Sequence, residues 1–168
     1  MLPSVFTHQN KLLTINTNEV PFIKDSLMPG VDVQPLFLDP QNGTWALRVI
    51  FAPGVVLPKH FHTGCVHLWT MSGSWHYAEY PGQPQTAGCY LYEPGGSIHQ
   101  FITPASNTEG TDTFMIVTGC NVNFDENGNF VGIMDAGWIE QMVNHLAQQQ
   151  GIGSPQYIRG HGSRYAVE

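Results

Sequence analysis

Residues 58–80, "PKHFHTGCVHLWTMSGSWHYAEY", contain four of the eight histidines of this 168-residue chain. Two of them, His60 and His62, are separated by one residue. Because residues i and i+2 of a β-strand point to the same face, these two imidazoles project together and could chelate a transition metal. Two exposed histidines on an edge strand are the other reading. The residues on either side of this pair favour the metal site.

Short segments of alternating β-type residues, separated by glycine and proline, surround this stretch. The clearest are "TWALRVIF" (44–51), "VHLWTM" (66–71), "SWHYAEY" (74–80), "GCYLYE" (88–93) and "FMIVTGCNVNF" (114–124). Ser72-Gly73 and Asn127-Gly128 are turn pairs between such segments. Many short strands with this punctuation predict one all-β domain, a sandwich or barrel, over residues 1–168.

One segment has helical periodicity. In "DAGWIEQMVNHLAQQQG" (135–151), Asp135 can cap a helix of about residues 135–149 and Gly151 can end it. The apolar residues at helical spacing are Trp138, Ile139, Met142, Val143 and Leu146. The tail, residues 151–168, is rich in glycine and polar residues. It is either loosely ordered or wraps a partner subunit.

The composition excludes several classes of partner. Six lysines and arginines and a net charge of −7 argue against nucleic-acid binding. No apolar run is long enough to span a membrane, and the first twenty residues do not read as a signal peptide, so we expect a cytoplasmic protein with three free cysteines. Only 11% of the residues are charged, well below the usual quarter, which favours a homodimer or homotetramer.

The motif around the histidine pair resembles the cupin superfamily. The first cupin motif is Gly, five residues, His-x-His, three or four residues, Glu, then six residues and Gly; the second is Gly, five residues, Pro-x-Gly, two residues and His. The segment from Gly54 to His62 and the segment "GCYLYEPGGSIH" (88–99) match these patterns, with a motif core at residues 54–101. The resemblance implies a double-stranded β-helix of jelly-roll type, in which His60, His62 and His99 bind a metal.

The chain departs from the pattern at the glutamate. We expect His67 at that position, with five rather than six residues before Gly73. Alternation then places His67, Trp69 and Met71 on the cavity side if the cupin register holds. His67 could ligate the metal, but we favour a contact with a ligand or with substrate, because a fourth imidazole would leave less room for chemistry.

A narrower resemblance is to the 2,4'-dihydroxyacetophenone dioxygenase branch of the cupins, with the acetylacetone-cleaving cupins nearby. It is carried by residues 58–80 and by "GCYLYEPGGSIHQF" (88–101). It implies an Fe(II) enzyme that uses O2 to cleave a carbon–carbon bond of a small enolisable ketone. Three neutral histidines leave the full metal charge to be offset by a deprotonated, chelating substrate. Zn, Ni or another divalent metal can replace iron in purified protein, because affinity does not select Fe(II).

Further side chains are candidates for the pocket of such an enzyme. The expected walls are aromatic or apolar residues of the strands, although aromatic residues on barrel strands are more often core. They are Trp69, Met71, Trp75, Tyr77, Tyr90 and Tyr92. Glu79 and His76 point to opposite faces of one strand, so only one of them could carry protons or orient a ligand in the cavity; Glu79 could also be an extra ligand. Arg48 could hold a substrate oxyanion or form an outward ion pair.

Two other functions compete with the dioxygenase. One is a cupin that binds metal without turnover, as a sensor does. An attached DNA-binding or sigma-factor-binding region would favour it, and we expect an enzyme because this sequence shows none. The other is a different oxidation or isomerisation by a metal cupin. The missing glutamate weakens the isomerases that depend on it.

Overall fold

The structure is a computed structural model, and it describes residues 12–160. Twelve strands and one helix follow in chain order. They are β1 (Val31–Asp39), β2 (Thr44–Phe51), β3 (Lys59–His62), β4 (Val66–Ser72), β5 (Ser74–Tyr77), β6 (Gln85–Thr86), β7 (Tyr90–Glu93), β8 (Phe101–Ile102), β9 (Thr111–Thr118), β10 (Asn121–Phe124), β11 (Phe130–Met134), α1 (Ala136–Gln149) and β12 (Ile158–Arg159). The prediction of an all-β domain with one C-terminal helix is therefore confirmed.

The largest sheet has six strands in the order β12-β1-β2-β9-β4-β7. β2 shows the predicted alternation, because Trp45, Leu47, Val49 and Phe51 are almost fully buried. β4 and β9 continue this inner face with Val66, Leu68 and Val117 among others. Burying a side chain of this size stabilises the fold by about 1.5–3 kcal/mol, so this face supplies much of the hydrophobic core.

The remaining strands form two separate sheets of three strands each. They have the orders β11-β10-β3 and β6-β5-β8. Isolated bridges connect strand residues to neighbouring segments, including His60 with His99 and Val56 with Ile102. The strands thus form three sheets of a cupin jelly roll rather than one closed barrel. The segment 114–124, which reads as one run in the sequence, is divided between β9 and β10 at Gly119 and Cys120.

The helix ends where the sequence predicts. The Asp135 side chain accepts a hydrogen bond from the Trp138 backbone N–H at 2.7 Å, and Gly151 has a φ of +71° after the last turn. Its buried face differs slightly from the predicted one, because Ala136, Ile139, Val143 and Ala147 are buried whereas Trp138 is 43% exposed. α1 packs against β1 and β11.

The predicted turn at residues 72–73 joins β4 to β5. Gly73 has a φ of +80°, and a Cβ atom there would lie 2.7 Å from Thr111 Oγ1. A glycine is therefore required where the chain leaves the large sheet. Within residues 12–160 no helix is both long and apolar enough to cross a membrane. The predicted tail forms the short strand β12 beside β1, and its residues 161–168 lie outside the described part of the chain.

Candidate metal centre

Backbone pairing brings the three predicted histidines together. On β3, Lys59 is exposed, while His60 and His62 point inward and are buried. The backbone groups of His60 and His99 exchange two hydrogen bonds of 3.0 Å. The N–H of Gly96 donates to the His62 carbonyl at 2.8 Å, which ties the Pro94-Gly95-Gly96 turn to β3. This turn therefore carries His99 to the histidine pair.

The three imidazoles form a compact group of possible ligands. One nitrogen from each of His60, His62 and His99 lies within 4.8 Å of the others. The Nε2 atoms of His60 and His99 are 3.2 Å apart. His60 Nδ1 lies 2.9 Å from the Pro58 carbonyl, so Nδ1–H donates to it and Nε2 keeps its lone pair for a cation. Imidazole nitrogens in this arrangement suit Fe, Zn, Cu or Ni.

Burial keeps these imidazoles neutral. It lowers the pKa of His62 to about 3, and the neighbouring His60 and His99 add to this effect. Burial, with His60 nearby, lowers the pKa of His99 to about 4. The pKa of His60 is lowered for the same reason. Metals bind neutral imidazole, so all three ligands are ready for a cation at neutral pH without losing a proton.

A buried carboxylate at the end of β7, that of Glu93, lies beside the histidines. Glu93 Oε2 is 3.5 Å from His62 Nε2 and 3.4 Å from His99 Nε2. Oε1 accepts a short hydrogen bond from the hydroxyl of Tyr77. Oε2 has no hydrogen-bond partner within residues 12–160. Burial raises the pKa of Glu93 to about 8.

The three histidines and Glu93 line a cavity of about 60 Å³ whose other walls are mostly apolar. Trp45, Leu47, Val66, Leu68 and Phe101 are among its walls. It adjoins a wider pocket of about 410 Å³, with which it shares Leu27, Leu57, His60, Asn121 and Met134. The rim of this outer pocket is also mostly apolar and contains Met28, Val131, Ile133 and Trp138. A small apolar chamber thus adjoins a larger, mostly apolar vestibule.

The prediction that His67, Trp69 and Met71 face the cavity is wrong. On β4 the inward residues are Val66, Leu68 and Thr70. His67 lies on the outer face, where its Nδ1 is 2.7 Å from the hydroxyl of Tyr90. Met71, Tyr90 and Tyr92 are all at least half exposed. Since β4 and β7 are neighbours, His67 and Trp69 form an outer ring cluster with the predicted cavity walls Tyr90 and Tyr92.

The register of β4 also changes the position that corresponds to the cupin glutamate. Val66, not His67, faces the histidines. With three residues after His62, the motif reaches Val66, and six residues then separate it from Gly73, as in the pattern. An apolar side chain therefore occupies the place of the usual carboxylate. Val66 is the β-sheet partner of Glu93 on β7.

Of four further predicted site residues, only Tyr77 lines the cavity. Tyr77 lines the cavity, but Trp75 lies one layer away, stacked on Phe101 in the core. Glu79 is exposed and accepts a hydrogen bond from the Gln100 backbone N–H at 3.0 Å, and His76 lies on the outer face of β5. Neither of these two lines the cavity, and an action of Glu79 or His76 on the ligands from outside it stays a prediction.

Arg48 forms the outward ion pair and does not reach the cavity. Its guanidinium donates to the Asp112 carboxylate on β9, with Nη2 2.6 Å from Oδ2. This pairing also raises the pKa of Arg48. The alternative prediction, in which Arg48 holds a substrate oxyanion, is therefore wrong.

Comparisons with known proteins agree with this fold. The chain is 51% identical to a protein of unknown function with a cupin-like fold from Ralstonia eutropha JMP134, with a TM-score of 0.90 over 96% of this chain and 100% of that one. An RmlC-like cupin from the same organism is 24% identical, with a TM-score of 0.77 over 87% and 92% of the two chains. An acetylacetone dioxygenase from Acinetobacter johnsonii is 18% identical, with a TM-score of 0.66 over 84% and 97%. The last two likenesses show the fold alone.

A search of curated proteins gave no match. The sequence model of the ChrR cupin-like domain family matches residues 10–120, which include all three histidines and Glu93. This span is about two thirds of the chain. The chain therefore belongs to the ChrR cupin-like domain family.

Proposed function

We propose that this protein is a metal-dependent cupin dioxygenase that uses Fe(II) and O2 to cleave a carbon–carbon bond of a small enolisable ketone. The observation that carries the proposal is the group of three buried, neutral imidazoles at the base of an apolar chamber. A likeness of fold to an acetylacetone dioxygenase adds support. The 2,4'-dihydroxyacetophenone type of ketone is the other substrate that the sequence motifs favour.

The donor set fits a divalent transition metal. His60, His62 and His99 would hold the ion through one nitrogen each, and the Pro58 carbonyl fixes the orientation of the His60 ring. When bound, Fe(II) would supply Lewis acidity and a common template for the ketone and O2. An enolate oxygen bound beside these imidazoles would offset part of the positive charge of the ion.

The size of the cavity restricts how a substrate lies. A chamber of about 60 Å³ is far smaller than the several hundred Å³ of a usual ligand site. The two oxygens of an enolised ketone would therefore enter the chamber, while the rest of the molecule occupies the vestibule of about 410 Å³. The apolar walls exclude water from the reacting atoms and strengthen the electrostatic interactions there.

The test is oxygen uptake after anaerobic reconstitution with Fe(II). Acetylacetone and 2,4'-dihydroxyacetophenone are offered in parallel to the wild type and to the His60→Ala and His99→Ala variants. His67→Ala is the matched control, because it removes an imidazole from the same region but from the outer face of β4. We expect uptake with one ketone, lost in the first two variants and kept in the third.

Uptake that survives in His60→Ala and His99→Ala would contradict the proposal. So would the absence of uptake with both ketones when the wild type carries one Fe(II) per chain. This second result would favour a domain that holds metal without turnover. The small size of the inner chamber is the observation that favours this alternative.

A further inference from the structure

We propose that Glu93 is the fourth protein ligand of the metal, so that the cupin carboxylate has moved from β4 to the neighbouring strand β7. This inference rests on the metal site of the proposed function but not on its reaction. Glu93 is the last residue of β7, and its side chain points inward beside the three histidines.

The distances fit a shared coordination sphere. Metal–nitrogen and metal–oxygen bonds of about 2.0–2.2 Å place neighbouring ligand atoms about 3–3.5 Å apart. The separations are 3.2 Å for His60 Nε2 to His99 Nε2, 3.4 Å for Glu93 Oε2 to His99 Nε2, and 3.5 Å for Glu93 Oε2 to His62 Nε2. One cation could therefore contact Oε2 together with the imidazole nitrogens.

The surroundings of the carboxyl group leave one oxygen for this cation. Glu93 is only 6% exposed, and a buried charge without a partner is costly. The Tyr77 hydroxyl satisfies Oε1, whereas Oε2 has no hydrogen-bond partner within the described residues. The bond from Tyr77 also fixes the rotation of the carboxyl group, so that Oε2 faces His62 and His99. Tyr77 is thus a positioning residue for Glu93.

The sheet register explains how the carboxylate could change strands. Val66 occupies the position of the usual cupin glutamate, and Val66 and Glu93 are direct partners in the antiparallel pair β4–β7. Directly opposed residues have Cβ atoms about 4.5–5.5 Å apart and point to the same face. A carboxylate on either strand can therefore reach the same chamber, and only one of the two positions needs to carry it.

The experiment compares Co(II) binding in the wild type, Glu93→Gln, Glu93→Val and the double variant Val66→Glu/Glu93→Val. Glu109→Gln is the control, because it neutralises an exposed carboxylate that does not line the chamber or the vestibule. Circular dichroism checks the fold of each variant. The readouts are affinity by chelator competition, the visible spectrum of bound Co(II), and the distance from Co(II) to Glu93 Oε2 in the loaded wild type.

We expect a distance of about 2.0–2.2 Å, the usual metal–carboxylate range. Glu93→Gln and Glu93→Val should lose more than about 100-fold in affinity, beyond the 10–100-fold typical of residues that only support a ligand. The double variant should recover at least about 10-fold over Glu93→Val, and Glu109→Gln should bind as the wild type does. The Co(II) spectrum should change in Glu93→Gln and not in Glu109→Gln.

A water between Co(II) and Glu93, or unchanged affinity and spectrum in Glu93→Gln, would overturn the inference. So would a double variant that binds no better than Glu93→Val although it is folded. These readouts need neither ketone nor O2, so the ligand assignment can fail while oxygen uptake succeeds, or the reverse. Only a wild type that binds no Co(II) would overturn both proposals together.

Discussion

The metal-free protein should be most stable near pH 6.5 and less stable on both sides. Burial lowers the pKa of His62 to about 3 and that of His99 to about 4, and it also lowers the pKa of His60. In the unfolded chain these histidines titrate near pH 6.5. As the pH falls below 6.5, the unfolded state therefore takes up protons that the folded state refuses, and the free energy of unfolding decreases.

Glu93 acts in the opposite direction at higher pH. Its pKa is raised to about 8 by burial, whereas a glutamate in the unfolded chain titrates near pH 4.3. Between these values the folded state holds a proton that the unfolded state has lost. The resulting stabilisation is complete below about pH 4.3 and is lost as the pH rises through 8.

The magnitudes follow from the number of protons. Each proton of difference changes the free energy of unfolding by about 1.4 kcal/mol per pH unit. Between about pH 5 and 6, His62 and His99 against Glu93 leave a difference of one proton, hence a rise of about 1.4 kcal/mol per pH unit. His60, whose pKa is also lowered, adds at most about 1.4 kcal/mol per pH unit to this rise. Above pH 6.5 only Glu93 contributes, hence a fall of about 1.4 kcal/mol per pH unit. These are large fractions of a typical stability of about 5–15 kcal/mol.

The assay is urea denaturation of chelator-treated protein at intervals from pH 4.5 to 8.5. The Glu93→Gln variant separates the two effects, because it keeps the rise below pH 6.5 and removes the fall above it. A stability that is flat from pH 5 to 8 in the wild type would refute the reasoning. A decline above pH 6.5 that persists in Glu93→Gln would refute the part assigned to the carboxyl group.

Three further substitutions test how the fold supports the centre. Gly64→Ala should destabilise by about 1–3 kcal/mol in urea denaturation, because the new Cβ atom would overlap a β9 backbone carbonyl, while Gly82→Ala, in open space, should not. Asp135→Ala should lower the free energy of unfolding by about 1 kcal/mol through loss of the helix cap, whereas Asp135→Asn should keep most of this stabilisation. An equal loss of stability in both variants, followed by thermal melting, would contradict the role of the cap. Arg48→Met should cost about 1–2 kcal/mol by leaving Asp112 unpaired, yet bind metal at unchanged stoichiometry; altered metal binding would show that the ion pair matters to the centre.

Much of the fold and of the histidine group could be predicted from local sequence patterns. The His-x-His pair needs only the two-residue period of a strand, and its partner His99 follows a recognisable Pro-x-Gly turn. The helix was predictable from the spacing of its apolar residues and from Asp135. Each of these features is encoded within a few neighbouring residues.

The features that were mispredicted depend on contacts between strands. On β4, apolar residues occur on both faces of the strand. Trp69, on the outer face, packs on Tyr90 of β7 and Phe114 of β9. Alternation alone therefore could not decide which face is inner. Glu93 was missed because its partner across the sheet is 27 positions earlier, at Val66, and that pairing is a matter of register. The available signal was that the charged residue Glu93 lies on the same face of β7 as the apolar Leu91, which points inward.

The packing of Trp45 beside the centre has a practical consequence. Its indole ring lies 6.5 Å from the ring of His62, centroid to centroid, and its side chain is buried. Trp138, in contrast, is exposed at the rim of the vestibule. An open-shell ion held by His62 should quench the emission of Trp45, because excited-state energy or an electron passes readily over so short a distance. With such an ion bound, Trp45 would be an optical reporter of metal loading within the core, and titrations could be followed without an added dye.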